Sequence, residues 1–161
     1  MKKSNKCHWV FRAHLLDRVG ALTSIASAFS NEGVSVDTVV AHGAEEKTST
    51  DGSVILTFFC CEEEKDKMVR KVKRLSKVLS LEEKPYDSNV LRKSGIVLTR
   101  RKLVPRDVAG EESFLTCELV KREEDRWTYF IAGCPRDMDR VLVSLAKEGV
   151  VIDMVYSLVG L

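Results

Sequence analysis

The chain has 161 residues, of which 44% are hydrophobic and 31% are charged, and its formal net charge is +2. This length accommodates one ordinary domain or two small ones, and the composition is not that of a disordered chain or a secreted miniprotein. So small a net charge favours neither nucleic acid nor a membrane as the partner. No apolar run reaches the roughly 18 to 20 residues that span a bilayer, so we expect a soluble protein.

The cysteines are odd in number and scattered, and most of them stand in apolar stretches. They are Cys7, Cys60, Cys61, Cys117 and Cys134. This usage predicts reduced thiols in a cytosol-like compartment. The predicted location is therefore the cytoplasm, or the plastid stroma had a transit peptide been removed.

The sequence carries none of the patterns that indicate catalysis. His8, His14 and His42 have no metal-ligand spacing relative to the cysteines, which predicts no metal site. There is no phosphate-binding loop, no nucleophile elbow and no carboxylate pair in an apolar setting. We therefore expect no catalytic residues and no cofactor.

The first half alternates strand and helix patterns. Apolar residues at helical spacing, from Leu22 through Ile25 and Ala26 to Phe29, predict an amphipathic helix over 20–32 that Gly33 ends. A second helix begins at 62. Strands are predicted over 7–16, 34–40, 53–61 and 78–84. This βαββαβ order is typical of the ferredoxin-like arrangement, an α+β fold with two helices on one face of an antiparallel sheet.

The second helix joins an apolar stripe to many basic residues. Met68, Val72, Leu75 and Leu79 are the predicted stripe. The basic residues assigned to the other faces are Lys65, Lys67, Arg70, Lys71, Lys73, Arg74 and Lys77. An RNA-binding surface is one interpretation, but Phe58 and Phe59 do not form the aromatic motif of RNA-recognition domains. A solvated helix face is the interpretation we favour.

A polar segment over 85–95 predicts a boundary between two domains, 1–86 and 87–161. Beyond it, strands are predicted over 96–104, 114–121, 126–132 and 150–159, with a helix that begins at Pro135. The loop PRDVAGEE stands where a further helix is expected. The second half is thus predicted to be a smaller β-rich α+β domain. Residues 31–37 and 147–153 resemble each other, either through internal kinship or because Glu-Gly-Val suits any helix-to-strand connection.

The turn before the first helix is the clearest candidate site. Gly20 leaves the backbone open, so the first amides of the helix can bind a carboxylate, and Asp17 beside them could bind an ammonium group. An α-amino acid carries both charges. The alternative is that Asp17 and Gly20 form only a helix start and a tight turn, and that Ser35 is an ordinary strand residue.

The segment LLDRVGAL over 15–22, followed by GVSVD over 33–37, resembles the signature of the ACT domain. This resemblance covers about the first half of the chain. It implies a ligand-binding site that includes more residues than Asp17 and Gly20. The residues so implied are Asp17, Val19, Gly20, Ala21, Leu22, Ser35 and Val36.

The length and the order of parts are similar to the small regulatory subunits of acetolactate (acetohydroxyacid) synthase. That resemblance implies a non-catalytic homodimer or larger assembly whose ACT sheets meet side by side. It also implies an effector, valine, leucine or isoleucine, at that interface, and a thiamine-dependent catalytic subunit as the partner. The family usually has Asn where this chain has Asp17, and an aromatic residue and Asn where it has Val34 and Ser35.

These departures fall on presumed ligand contacts, so the effector can differ or be absent. The alternative functions are a stand-alone ACT-type assembly or regulatory protein without amino-acid sensing, and a basic RNA-binding module.

Overall fold

The structure is a computed structural model and describes residues 5–16, 20–43, 52–109 and 115–160. The chain divides into two compact units, Met1–Tyr86 and Asp87–Leu161, here called the N-terminal and C-terminal units. None of the helices in the described ranges has both the length and the apolar character needed to cross a membrane.

The N-terminal unit is a four-stranded antiparallel sheet with two helices. Its strand order is β2-β3-β1-β4, which is the order of the ferredoxin-like fold predicted from the sequence. Its elements are β1 Cys7–Leu15, α1 Ala21–Asn31, β2 Val36–His42, β3 Gly52–Cys60, α2 Glu62–Lys73 and β4 Val78–Pro85.

Three aromatic rings form the centre of the core of the N-terminal unit. Phe11 of β1, Phe29 of α1 and Phe58 of β3 are each at most 1% exposed, and their ring centroids lie 4.7, 4.9 and 6.0 Å apart in edge-to-face pairs. Such pairs stabilise a core beyond the area that they bury. The apolar faces of β1, β3 and α1 therefore pack against one another at these three rings.

Helix α2 ends at Lys73, so Leu75, Lys77 and Leu79 of the predicted helix lie beyond it. Lys65 is buried rather than solvated, and Leu79 is half-exposed on β4 instead of packing in the helix stripe. The Lys65 ammonium lies 4.8 Å from the centre of the Trp9 ring and pairs with Asp66 and Glu83 at 2.8 and 3.4 Å. The hydrogen bond with Asp66 raises the pKa of Lys65. Lys65 precedes Met68 by three residues, so the same helical period places it toward the core.

The C-terminal unit has the same strand order as the N-terminal unit, β6-β7-β5-β8, and is also antiparallel. A 3₁₀ helix stands where the N-terminal unit has its first helix, so this unit is closer to a ferredoxin-like domain than the sequence predicts. Its elements are β5 Leu91–Thr99, the 3₁₀ helix Pro105–Val108, β6 Thr116–Glu123, β7 Arg126–Gly133, α3 Pro135–Lys147 and β8 Val151–Gly160.

Strand β5 begins earlier and ends earlier than the predicted strand over 96–104. Its polar start is accommodated because the buried Lys93 pairs with Asp139 of α3 and lies 3.7 Å from the centre of the Tyr156 ring. The strand ends at Thr99, whose hydroxyl donates to the carbonyl of Arg101 at 2.8 Å and so bends the chain. The polar segment over 85–95, which was predicted to connect the two domains, thus includes the first half of β5.

The two similar segments lie at places that do not correspond in the two units. Gly33 and Gly149 both have left-handed φ angles, 67° and 68°, as glycines that end helices do. Gly33 follows the first helix of its unit, whereas Gly149 follows α3, which corresponds to α2. The shared chemistry of helix ends therefore explains the similarity without internal kinship.

Ion pairs and hydrogen bonds to Asp107 stabilise the 3₁₀ helix of the C-terminal unit. Two guanidinium nitrogens of Arg101 donate to the two carboxylate oxygens of Asp107 at 2.6 and 3.2 Å, and the backbone N–H of Val104 donates to Asp107 Oδ2 at 2.8 Å. Arg101 also donates to Glu148 at 3.1 Å. The Arg101 guanidinium, with help from the Val104 amide, holds the pKa of Asp107 below its ordinary value.

We predict that Asp107→Asn destabilises the C-terminal unit by about 1–2 kcal/mol at pH 7, since a charged hydrogen bond to a largely buried carboxylate is lost. Because the folded-state pKa is lowered, this contribution is present above the ordinary value of 3.8 and is lost as the pH falls through the lowered value. Urea unfolding followed by Trp127 fluorescence, in a Trp9→Phe background, measures it. An unchanged difference between variant and parent at pH 7 and at pH 2.5 would contradict the assignment.

We also predict that Gly95→Ala destabilises the C-terminal unit by roughly 1–3 kcal/mol, because the added methyl carbon is overpacked. That carbon would lie 2.7 Å from the backbone oxygen of Val155 and 3.0 Å from Cβ of Tyr156. The neighbouring Ser94→Ala is the control, and thermal unfolding compares the two. Equal midpoints for the two variants would show that β5 and β8 have room to separate.

Candidate ligand-binding site

Gly20, which precedes α1, offers no side chain to cap the start of the helix. Gly20 is the N-cap residue, with φ 81° and ψ 8°, and the first turn of α1 contains no acidic residue. The Gly20 carbonyl accepts the backbone N–H of Ser24 at 3.0 Å and its hydroxyl at 2.8 Å. The amides that begin the helix thus carry its partial positive charge without a side chain of Gly20 to neutralise it.

A pocket of about 220 Å³ opens at this turn. The ends of β1, β2 and β3 and the start of α1 form its walls. Leu22, with small exposed parts of Leu15 and Ala21, gives it apolar surface, and Ser53 and His42 give it polar groups. The lining residues are Leu15, Leu16, Gly20, Ala21, Leu22, Thr23, Ala41, His42, Gly43, Gly52, Ser53 and Val54.

Lys77 contributes a positive charge at the same turn. Its Nζ lies 3.2 Å from the position that a Cβ on Gly20 would occupy, and its carbonyl accepts the N–H of Leu16 at 3.0 Å. The spacing of Lys77 in the sequence groups it with the basic face of the second helix, so its place beside Gly20 is not predicted. No sequence signal could separate it from that group, since the contact depends on the pairing of β1 with β4.

A second pocket, of about 400 Å³, lies along α1 and the edge strand β2. The predicted site residues divide between the two pockets. Gly20 and Ala21 line the first, Ser35 and Val36 line the second, and Leu22 lines both. Asp17 and Val19 lie outside the described residues.

Among the strands that the structure describes, β2 is an edge of its sheet and pairs with β3 alone. Val39 of β2 is 49% exposed, and Leu22 of α1 is 43% exposed beside the same pockets. An edge strand with apolar side chains presents backbone groups to which another strand can add.

The described side chains offer little for metal chemistry. Over 5–16, 20–43, 52–109 and 115–160, no three or more His, Cys, Asp or Glu residues cluster in a way that could hold a metal ion. The arrangement at the turn is suited instead to binding a small anion or zwitterion through backbone amides and an ammonium group.

Known proteins resemble this chain in a family pattern and in fold. Residues 9–77 match the family model of the ACT domain, which confirms the resemblance predicted from the sequence. The chain is similar to the acetolactate synthase small subunit from Thermotoga maritima, with a TM-score of 0.72 and 12% identity over 96% of each chain. At that identity the likeness is one of fold.

A weaker likeness is to the regulatory subunit of aspartate kinase from Thermus thermophilus, with a TM-score of 0.45 and 15% identity over 85% of this chain and 92% of that one. No curated protein sequence matches the chain. Residues 9–77 thus carry the ACT domain match, within a chain whose fold is similar to that of an acetolactate synthase small subunit.

Proposed function

We propose that this chain is a non-catalytic regulatory protein whose N-terminal unit binds a free α-amino acid at the turn before α1. The observation that carries the proposal is the start of α1, where Gly20 offers no capping side chain and the Lys77 ammonium lies beside it, at a pocket that also has apolar walls. Amides at a helix start, together with an ammonium group, suit a carboxylate. The apolar walls suit an aliphatic side chain.

The size of the pocket favours a small ligand. Its volume of about 220 Å³ is below the roughly 300–1,000 Å³ of pockets for drug-sized molecules. In the proposed pose, the carboxylate accepts hydrogen bonds from the amides that begin α1, and the side chain contacts Leu15 and Leu22. The ammonium group pairs with Asp17, as the sequence suggests. Valine, leucine and isoleucine are the proposed effectors, since each is aliphatic and branched.

The proposed assembly is a homodimer through β2. The exposed Val39 and the open edge of β2 support this choice. Because Leu22 lines both pockets, a ligand at the turn would contact a residue that also faces this edge. Binding could thereby change how two copies pack and hence how a partner enzyme is controlled.

The proposed partner is the catalytic subunit of an acetolactate synthase, because the protein of similar fold is a small subunit of that enzyme. Two basic side chains of the alternative, an RNA-binding surface, are engaged within the protein. Lys65 is buried, and Lys71 forms an ion pair with Glu32 of the loop after α1. Copurification with the tagged full chain, followed by mass spectrometry, tests the partner.

We predict that isothermal titration calorimetry detects binding of at least one branched-chain amino acid and that Gly20→Ala weakens it at least tenfold. The added methyl group would press on Lys77 at the carboxylate position. Gly149→Ala is the control, because Gly149 has a similar φ angle of 68° and open space around its Cβ position. It imposes the same backbone strain, about 1–2 kcal/mol, away from the site.

The sequence alone suggests Gly20→Val as the test, on the expectation that the fold is spared. The φ of 81° corrects this expectation, since a β-branched residue is strained there, so alanine is the sharper probe. Lys77→Gln is a second variant and should weaken binding several-fold, because one charge is lost. No heat with any amino acid, or equal affinity for Gly20→Ala and Gly149→Ala, would exclude the proposed site.

We predict that the chain is a dimer and that Val39→Lys converts it to a monomer, because a lysine on an edge strand opposes strand addition. Size-exclusion chromatography with light scattering measures the mass. Val155→Lys is the matched control, since Val155 is also exposed and lies on β8, an edge strand of the C-terminal unit. The β2 interface is wrong if the parent chain is a monomer, or if only the control variant dissociates.

A further inference from the structure

Two cysteines face each other at the end of the central strand pair, far from the candidate pocket. Cys7 is the first residue of β1 and Cys60 is the last residue of β3, and the two are direct partners in the antiparallel register. Paired residues in such a register point to the same face of the sheet. Cys7 is exposed, whereas Cys60 is 1% exposed in the core.

We propose that Cys7 and Cys60 are a redox-active thiol pair, which a low-molecular-weight disulfide oxidises to an internal disulfide. Directly opposed residues have Cβ atoms about 4.5–5.5 Å apart, and a disulfide needs about 3.5–4.5 Å. The closure therefore requires a shift of about 1 Å. Both residues stand at strand ends, where such a shift disturbs few ladder hydrogen bonds.

The reaction proceeds in two exchange steps. The exposed Cys7 thiolate attacks one sulfur of the small disulfide, which forms a mixed disulfide on Cys7 and releases one small thiolate. The Cys60 thiolate then attacks Sγ of Cys7, which forms the Cys7 to Cys60 bond and releases the second small thiolate. The protein loses two electrons and two protons, and the small disulfide gains both as two thiols.

The environments of the two thiols fix the order of the steps. Burial raises the pKa of Cys60 to about 11, and the nearby Glu64, Cys61 and Cys7 raise it further than the opposing charge of Lys65 lowers it. Little Cys60 thiolate is present near neutral pH, and the core excludes an external disulfide from it. Cys7 is thus the residue that meets the oxidant, and the second step is the slower one.

The product would join the two ends of a segment that contains β1, α1, β2 and β3. Closing so long a loop restricts the unfolded chain and stabilises the folded unit. The candidate pocket lies at the other end of the same strands, where Leu15 pairs with Gly52, so the disulfide leaves it open. This inference does not depend on amino-acid binding.

The test incubates the reduced full chain with oxidised glutathione and follows intact mass, non-reducing peptide maps and thermal unfolding. We expect a loss of about 2 Da from the reduced chain, a peptide that links Cys7 to Cys60, and a thermal midpoint raised by roughly 10 °C. Dithiothreitol should reverse all three changes.

Variants assign the steps. Cys60→Ala, a small change in the core, should stop the reaction at a glutathione adduct on Cys7, and Cys7→Ser should leave Cys60 unmodified. Cys61→Ser and Cys134→Ser are the controls and should react as the parent does. A stable glutathione adduct on the parent chain, a link from Cys7 to Cys61, or a disulfide between two chains would each overturn the proposal.

Discussion

The pairing of β1 with β3 is the constraint on which the N-terminal unit depends. It runs without a break from Cys7 opposite Cys60 to Leu15 opposite Gly52, and it fixes which side chains meet the helices. A slip of one residue would turn the side chains of one strand to the other face, so that Phe11 and Phe58 could no longer both pack against Phe29. The same register brings the ends of the strands to the turn at Gly20, so the core and the candidate pocket are determined together.

The two units share a strand order but differ where a ligand could bind. In the N-terminal unit, a full helix begins at Gly20 without a side-chain cap. In the C-terminal unit, the corresponding connection is a 3₁₀ helix whose start is bound by Asp107. Each unit also holds a buried ammonium over an aromatic ring near the start of its last helix, Lys65 over Trp9 and Lys93 over Tyr156. The contact is similar in both, although the lysine comes from a helix in one unit and from a strand in the other.

Sequence patterns predicted the elements of the N-terminal unit well, because its apolar periods are regular and its glycines mark the turns. They failed where a polar residue is buried by a distant partner. The sequence alone suggests that Lys65 and Lys93 are solvated. Their contacts with Glu83 and Asp139 explain why both are buried. The place of Lys77 beside Gly20 was not predicted for a similar reason, since it arises from strand pairing. The position of Gly20 at the start of α1 was predictable from the sequence, because it depends on local chemistry.

The length of the central strands has a consequence for how the N-terminal unit opens. Nine residues at about 3.3 Å each set the candidate pocket and the cysteine pair about 25–30 Å apart. Both nevertheless lie on the same two strands, and any unfolding of this unit must separate those strands. A bound molecule at one end and a covalent bond at the other would protect the same backbone amides from exchange with solvent, although they share no contact. The stabilising effects of a bound ligand and of a disulfide on β1 and β3 could thus add, although the two events are chemically independent.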